Sequence, residues 1–151
     1  MHVVLFQPEI PWNTGNVGRT CVAAGAALHL IEPLGFSLSE RRLKRAGLDY
    51  WPLLTLRRHE NFAAFLAQLP AAARLLAFSA QGSATHWQAA YGPDSYLLFG
   101  RESSGLPDEV LQRCAAAYRI PMAGGARSLN LSTAVAVALY EGLRRRQATN
   151  P

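Results

Sequence analysis

Blocks of consecutive apolar residues alternate along the chain with longer segments in which apolar positions recur at helical spacing. The apolar blocks predict strands, and the periodic segments predict helices. The predicted strands cover residues 2–7, 28–31, 53–56 at a sheet edge, 74–79, 95–100 and 118–120. The predicted helices cover residues 13–26 with Asn13 or Thr14 as the cap, 40–46 with Ser39 as the cap, 60–69, 107–114 and 129–145.

The alternation of strands and helices indicates an α/β protein with a parallel sheet and helices on both of its faces. A length of 151 residues fits a single domain that spans residues 1–151. Ligands of such sheets bind beyond the carboxyl ends of the strands. Three predicted strands end in polar or glycine-bearing loops, after Phe78, Phe99 and Ile120, so we expect one shared pocket there.

The segment RIPMAGGARSLNLSTAVAVALYEGL, residues 119–143, places a polar patch where a long helix begins. A helix start offers unpaired N–H groups and a partial positive charge, and the glycine pair before it lets a ligand approach the backbone closely. This layout predicts a small-molecule site. Within the helix, Leu131, Val135, Leu139 and Leu143 recur every four residues and predict a core face. The small residues on the other faces favour a homodimer interface, and burial within one protomer is the alternative.

Two further segments carry polar residues next to predicted strand ends. PEIPWNTGNVGRT, residues 8–20, sets Arg19 just beyond a helix start. A helix start with an arginine close by predicts a phosphate-binding site. The alternative is an ordinary capped amphipathic helix. FGRESSGLP, residues 99–107, places Arg101 and Glu102 directly after a buried strand. Glu102 can accept a hydrogen bond from a ligand, hold Arg19 or Arg101, or cap a solvated turn.

The composition narrows the class of protein. The net charge is +5, and all 15 Lys and Arg residues except Lys44 are arginine. A basic surface favours nucleic acid or another polyanion, although an arginine bias also follows from genome base composition. Cys21 and Cys114 lie in apolar helical contexts without a CxxC motif, which indicates buried free thiols in a reducing cytosol. No apolar segment reaches the ~20 residues that span a membrane, and no signal peptide is visible, so a cytoplasmic location is expected.

Several common catalytic motifs are missing from the sequence. It contains no dinucleotide-binding G-x-G-x-x-G after a strand, no P-loop and no G-x-S-x-G nucleophile elbow. The four histidines have no metal-ligand spacing with Cys, Asp or Glu, so no metal site is expected.

Three segments in this order and spacing resemble the three motifs of the SPOUT methyltransferases, specifically the TrmH (SpoU) branch. They are NTGNVGR (residues 13–19), LLFGRESSGLP (97–107) and RIPMAGGARSLNLSTAVAVALYEG (119–142). The resemblance covers essentially the whole chain. PEIPWNTGNVGRT, LHLIEPLGF and RAGLDYW are similar to the subgroup that methylates the 2′-oxygen of the wobble nucleotide, C34 or U34, in tRNA.

The resemblance implies a deep trefoil knot in the C-terminal part of the α/β fold, which sequence patterns alone would never predict. It also implies a homodimer formed through the knot region and the C-terminal helix, with S-adenosylmethionine bound in the knot. The residues that would contact or lie near this cofactor are Phe78, Gln81, Gly82, Gly100, Glu102, Gly105, Ile120, Met122, Ser128 and Leu129.

The resemblance further implies transfer of a methyl group to a ribose 2′-hydroxyl, with Arg19 as the main catalytic candidate. Arginine is a poor general base because its pKa exceeds ~12. We therefore expect Arg19 to orient the hydroxyl or an adjacent phosphate. In a knotted dimer, the cofactor that Arg19 faces can belong to the other subunit. Asn16, Glu102, Ser128 and Asn130 would complete the site. The alternatives are another tRNA or rRNA position, a small-molecule substrate, or an inactive RNA-binding dimer.

The expected substrate is the anticodon loop of tRNA, which a domain without extensions would bind with its own basic surface. Position 101 is arginine where other relatives carry proline or serine, which adds a potential phosphate contact. The candidate RNA-binding residues are Arg19, Arg41, Arg42, Lys44, Arg45, Arg57, Arg58, Arg144, Arg145 and Arg146.

Overall fold

Seven parallel β-strands form one sheet in the computed structural model, which describes residues 1–37 and 50–149. The central strands read as unbroken apolar runs because both faces of the sheet are covered. The sheet order is β3-β2-β1-β6-β4-β7-β5. The strands are β1 (His2–Phe6), β2 (Ala27–Ile31), β3 (Leu56–His59), β4 (Arg74–Phe78), β5 (Ala84–Thr85), β6 (Ser95–Phe99) and β7 (Ala116–Arg119).

The strand register aligns the carboxyl ends of the central strands. Phe99, the last residue of β6, pairs with Leu5 of β1 on one side and with Phe78 of β4 on the other. Phe78 in turn pairs with Tyr118 of β7. Because all these strands are parallel, the loops that follow them leave the sheet at the same edge, as predicted for a shared pocket.

Helices cover both faces of the sheet, which confirms the predicted α/β arrangement. On one face, α1 (Pro11–Ala24) and α4 (Leu131–Thr149) pack together over the strands, and their buried residues include Val17 and Val135. On the other face, α2 (Phe62–Ala67) and α3 (Asp108–Leu111) bury Phe65 and Val110. In α4, Val135 and Leu139 are fully buried, as the four-residue repeat predicts, whereas Leu131 and Leu143 are half-buried. Ala138, outside the repeat, is also fully buried, and Val137 and Tyr140 are exposed.

The first helix begins earlier than predicted. Its N-terminal cap is Ile10, and Pro11 is its first residue, a position that tolerates proline because the missing N–H has no intrahelical partner. Asn13 and Thr14, the predicted caps, lie inside the helix and are buried. The prediction failed at Asn13 because its side chain binds residues distant in the chain instead of the N–H groups of its own helix, as described below.

Other boundaries also differ from the predictions. The prediction of a strand at residues 53–56 is wrong: Trp51–Leu53 form a 3₁₀ turn, and the edge strand is β3, Leu56–His59. Arg57 and Arg58 face solvent on this edge strand. The strand therefore has no run of apolar residues from which it could be predicted. The two-residue strand β5 and the 3₁₀ turn at His86–Gln88 were not predicted. The predicted helical turn at residues 40–46 and its cap Ser39 lie outside the described residues.

Both cysteines are free thiols. Cys21 is fully buried and Cys114 is half-buried, and burial raises the pKa of each thiol to about 12. No helix within residues 1–37 and 50–149 has both the length and the apolar character needed to cross a membrane. The same ranges contain no group of three or more His, Cys, Asp or Glu side chains arranged to hold a metal ion.

Candidate functional site

A cavity of about 480 Å³ opens at the carboxyl ends of β4, β6 and β7. This volume lies within the roughly 300–1,000 Å³ that is usual for small-molecule sites. The structure brings together nine of the ten predicted cofactor-binding residues in its lining: Phe78, Gln81, Gly100, Glu102, Gly105, Ile120, Met122, Ser128 and Leu129. The clustering of loops that the strand pattern predicted therefore forms one concave surface.

The cavity has an apolar side and a polar rim. The rings of Phe78 and Phe99 stack with their centroids 4.9 Å apart, and Tyr118 lies 6.1 Å from Phe78. The rim carries the hydroxyl and amide groups of Ser128 and Asn130. A planar apolar ligand with a polar tail matches this division.

Two glycines allow the loops around the cavity to pass close to each other. A Cβ at Gly100 would lie 2.5 Å from the carbonyl oxygen of Gly105, and a Cβ at Gly82 would lie 2.6 Å from the backbone nitrogen of Arg119. Both contacts involve backbone atoms that cannot move aside. Gly82, the tenth predicted cofactor residue, is absent from the cavity lining. Gly82 instead lies where the loop after β4 passes close to the backbone of β7.

Glu102 holds the segment that leads into α1. Its carboxylate accepts hydrogen bonds from the backbone N–H of Glu9 at 2.8 Å, the backbone N–H of Ile10 at 3.2 Å and Nδ2 of Asn13 at 3.0 Å. A carboxylate near a helix start also interacts favourably with the helix dipole. Glu102 therefore does not cap its own turn: its carboxylate binds groups at and just before the start of α1, 89 to 93 residues away in sequence.

Asn13 connects all three motifs, and the sequence analysis assigned it no role beyond a helix cap. Its Nδ2 donates to Glu102, and its Oδ1 accepts from Nδ2 of Asn130 at 2.9 Å. Oδ1 of Asn130 accepts from the backbone N–H of Ser132 at 2.9 Å and so caps α4. Asn13 is only 6% exposed, whereas Glu102 is half-buried and Asn130 is exposed. The chain Glu102–Asn13–Asn130 is therefore a link with a buried centre between the starts of two helices and the loop after β6.

A second contact joins the segment before α1 to the loop after β6, this time with the accepting carboxylate on the segment before α1. The carboxylate of Glu9 accepts from the backbone N–H and the hydroxyl of Ser103, both at 2.9 Å. These hydrogen bonds lower the pKa of Glu9. Glu9 and Glu102 thus each hold the backbone of the other's loop, which fixes the entrance to α1 against the loop after β6.

Arg19 and Asn16, two of the predicted catalytic residues, lie on the exposed side of α1 and do not line the cavity. The Arg19 guanidinium stacks on the ring of Tyr50, 4.8 Å from its centroid. The Tyr50 hydroxyl donates to the carbonyl of Gly15 at 2.5 Å. The predicted catalytic set is therefore divided: Glu102 and Asn130 lie in the cavity, and Arg19 and Asn16 lie outside it.

The predicted RNA-binding arginines differ in their surroundings. Arg58 pairs with Glu32 at 2.6 Å, while Arg144 and Arg145 both pair with Glu141, at 2.8 and 3.3 Å. Part of the positive charge of these three residues is thus compensated. Arg57 and Arg146 are exposed. Arg41, Arg42, Lys44 and Arg45 lie outside the described residues.

Comparison with known proteins agrees with the family resemblance of the three sequence motifs. The sequence profile of the SpoU rRNA Methylase family matches residues 1–140. A relative from Saccharophagus degradans named tRNA (cytidine(34)-2′-O)-methyltransferase is 47% identical over 146 residues, which cover 95% of this chain and 94% of the relative.

Two solved structures have the same fold. One, described as "Structural insights into the 2-OH methylation of C/U34 on tRNA", is 58% identical and superposes with a TM-score of 0.92, covering 97% of this chain and 96% of that one. The other, an AdoMet-bound rRNA methyltransferase from Sinorhizobium meliloti, is 31% identical with a TM-score of 0.84, and the match covers 95% of this chain and 56% of that one.

Proposed function

This chain belongs to the SpoU rRNA Methylase family, and we propose that it methylates the 2′-oxygen of the wobble nucleotide, C34 or U34, in tRNA with S-adenosylmethionine as the methyl donor. The observation that carries the proposal is the cavity in which the loop after β6 and the start of α4 meet, joined to the start of α1 by Asn13. The relatives similar over nearly the whole chain are named for this reaction.

The cavity fits the cofactor by its size and by the division of its lining. The stacked rings of Phe78 and Phe99 offer an apolar surface for a planar base, and Gly100 leaves backbone groups within reach of a ligand. Ser128 and Asn130 supply hydrogen-bonding groups at the rim. S-adenosylmethionine, when bound, supplies a methyl group activated by its sulfonium. The chain's residues then have to bring the ribose hydroxyl into line with that methyl group.

The division of the predicted catalytic residues supports a role for Arg19 in the other subunit of a homodimer. Arg19 is too basic to accept the hydroxyl proton, and its guanidinium orients the 2′-hydroxyl or a neighbouring phosphate instead. Asn16 lies on the same exposed side of α1 and contacts the same substrate. Glu102 and Asn130 position the loops that form the cavity, since most of their side-chain hydrogen bonds go to helix starts and to Asn13.

The homodimer forms through the exposed sides of α1 and α4, two helices that pack on each other. Trp12 on α1 is 69% exposed, and Val137 and Tyr140 on α4 are 36% and 51% exposed. Large exposed apolar side chains on two neighbouring helices favour burial against a partner. Tyr140→Glu would shift the dimer to monomers in sedimentation experiments, whereas Ala67→Glu, at an exposed position of α2 on the other face of the sheet, would not.

The C-terminal part of the chain forms a deep trefoil knot around the cofactor site. The close approach of Gly82 to the backbone of Tyr118 and Arg119 supports this proposal, because it packs the loop after β4 closely against the end of β7. A crystal structure of the protein with S-adenosylmethionine, in which the threading of α4 relative to the loop after β6 is traced, tests the knot. A tRNA substrate also makes the cytoplasm the expected location.

The function is tested with labelled S-adenosylmethionine and tRNA that lacks the wobble modification. We expect label on the 2′-oxygen of the wobble nucleotide. Label at another nucleotide would correct the target, and absence of transfer with normal cofactor binding would indicate an RNA-binding protein without this activity. Arg19→Ala would abolish transfer without changing cofactor affinity. The matched control is Arg74→Ala, which removes an exposed arginine at the amino end of β4, opposite the site.

The action of Arg19 across the dimer is tested by co-expression of two inactive variants. One protomer carries Arg19→Ala and the other carries Gly100→Ala, which displaces the loop after β6 that lines its own cavity, because the added Cβ would lie 2.5 Å from the carbonyl oxygen of Gly105. If Arg19 acts on the partner's cofactor, the mixed dimers regain activity at one of their two sites. If Arg19 acts within its own protomer, the mixed dimers stay inactive.

A further inference from the structure

We propose that Arg101 forms a phosphate subsite at the rim of the cavity, which holds the RNA backbone beside the nucleotide to be methylated. The inference rests on the proposed RNA substrate. Arg101 follows β6 directly, lines the cavity and is half-buried. Its guanidinium donates to the side-chain oxygen of Gln7 and lies 5.5 Å from the centroid of the Phe6 ring.

Gln7 holds Arg101 in a fixed position. Gln7 has a φ of +49°, a left-handed conformation that is uncommon for residues other than glycine. Its amide nitrogen donates to the carbonyl of Glu32 at 3.2 Å, while its amide oxygen accepts from Arg101. A guanidinium held in place before binding loses less conformational freedom when it grips an anion.

The charges around the rim favour an anionic ligand. Arg101 and Arg127 both line the cavity, and neither forms a salt bridge within the described part of the chain. The carboxylates nearby are hydrogen-bonded to other groups: Glu102 binds the N–H groups before α1, and Glu9, which also feels the charge of Arg101, is hydrogen-bonded to Ser103. Two arginines at one cavity that form no salt bridge attract a phosphate or carboxylate group.

The position of Arg101 distinguishes RNA phosphate from the carboxylate of the cofactor. The apolar surface formed by Phe78 and Phe99 belongs to the core on the α1 and α4 side of the sheet, whereas Phe6, under Arg101, belongs to the core on the other side. The guanidinium is thus displaced from the surface that would hold the cofactor, toward the carboxyl end of β1.

From Arg101, a series of contacts leads along the strand ends toward a basic edge of the sheet. Gln7 joins Arg101 to the backbone of Glu32, and the Glu32 carboxylate pairs with Arg58 at 2.6 Å. Arg57 and Arg58 are exposed on the edge strand β3. These arginines extend the positive charge from the cavity to the edge of the sheet, a distribution that suits an RNA backbone rather than a small cofactor.

The test compares Arg101→Met with wild type and with Arg74→Met, which removes the same charge from an exposed position at the opposite end of the strands. Methionine keeps an unbranched side chain over Phe6 and removes the charge. The first probe is an anticodon stem-loop RNA, whose dissociation constant is measured at several salt concentrations. The second is S-adenosylmethionine, titrated by calorimetry. Thermal melting of each variant confirms that it is folded.

We expect Arg101→Met to weaken stem-loop binding about tenfold and to lower the salt slope by about one, since one phosphate contact is lost. Cofactor affinity would stay within about twofold of wild type, and Arg74→Met would change neither. Loss of cofactor affinity alone would assign the arginine to the cofactor's carboxylate and overturn the proposal, as would no change with either probe.

A third arm identifies the phosphate. Stem-loops are prepared with a single neutral methylphosphonate on either side of the wobble nucleotide, with a 2′-deoxy sugar on the 5′ side of the altered linkage for chemical stability. At the phosphate that Arg101 grips, wild type and Arg101→Met would bind the neutral RNA equally. Persistence of the tenfold difference on both RNAs would contradict the subsite. Failure of the wild-type protein to methylate the wobble nucleotide would refute the proposed function. The binding measurements would still test the phosphate subsite, because they do not depend on methyl transfer.

Discussion

Asn13→Asp tests whether the link between Glu102 and Asn130 stabilises the fold. Asp has nearly the shape of Asn, so the packing of the helix stays intact. The substitution replaces the Nδ2 donor, 3.0 Å from the Glu102 carboxylate, with an oxygen that repels it. The hydrogen bond from Asn130 to the other oxygen of residue 13 is retained.

The cost of the substitution follows from proton linkage. Two carboxylates at this distance cannot both stay ionised, so the folded variant takes up a proton that the unfolded chain, with an Asp pKa near 3.9, does not hold. Holding that proton costs about 1.36 kcal/mol for each pH unit above ~3.9, which is about 4 kcal/mol at pH 7 and about 1.5 kcal/mol at pH 5. Relative to wild type, the variant should therefore lose less stability as the pH falls.

The assay is urea unfolding at a fixed protein concentration at pH 7 and pH 5. Asn13→Ala is the control, because it removes both hydrogen bonds without adding a titratable group and should cost about 2–4 kcal/mol at both values. A deficit for Asn13→Asp below about 0.5 kcal/mol at pH 7 would refute the reasoning. So would a deficit that does not shrink at pH 5 relative to the alanine control.

Three further predictions follow from the core and the loops. Burial, followed by the charges of His2 and His59, lowers the pKa of His29 to about 3. Its contribution to stability is therefore full above pH ~6.5 and is lost toward lower pH, at up to about 1.4 kcal/mol per unit. Urea unfolding between pH 7.5 and 5 should show a smaller loss for His29→Gln than for wild type, and equal slopes would contradict this. Gly100→Ala should abolish cofactor binding measured by calorimetry, whereas Gly92→Ala, whose Cβ would only approach Ser95 Oγ at 3.8 Å, should bind normally. Because burial raises the pKa of both thiols to about 12, neither Cys21 nor Cys114 should react with a disulfide reagent at pH 8 until the protein unfolds; rapid reaction of the native protein would show that these groups are accessible.

The location of the cavity could be predicted from the sequence because it depends on a periodic feature of the chain. Parallel strands place their carboxyl ends at one edge, so polar and glycine-bearing loops after Phe78 and Phe99 had to meet. The register Phe78–Phe99–Leu5 shows how closely the strand ends align. The buried positions Val135 and Leu139 of α4 followed in the same way from the spacing of apolar residues, whereas the packing of α4 on α1 was not predicted.

The polar link within the site could not be predicted, because its partners are far apart in sequence. Asn13 is 89 residues from Glu102 and 117 from Asn130, and local rules correctly favour asparagine as a helix cap. The helix instead begins at Pro11, and Glu102 binds the N–H groups of Glu9 and Ile10, which lie just before it. The resemblance to known motifs indicated that these segments belong together, but the bonds that join them required the fold.

The hydrogen bonds of the site also limit how it can catalyse methyl transfer. Among the described residues that line the cavity, Glu102 is the only carboxylate, and its oxygens accept three N–H groups that hold the start of α1. Use of Glu102 as a base would weaken the contacts that shape the cavity. Arginine is also unsuited to accept a proton at neutral pH. The chain's contribution to the rate is therefore best explained by placement of the ribose hydroxyl in line with the methyl group, a mechanism in which small displacements of the loops cost large factors in rate. The contacts from Asn13 and Glu102 to the two helix starts restrict such displacements.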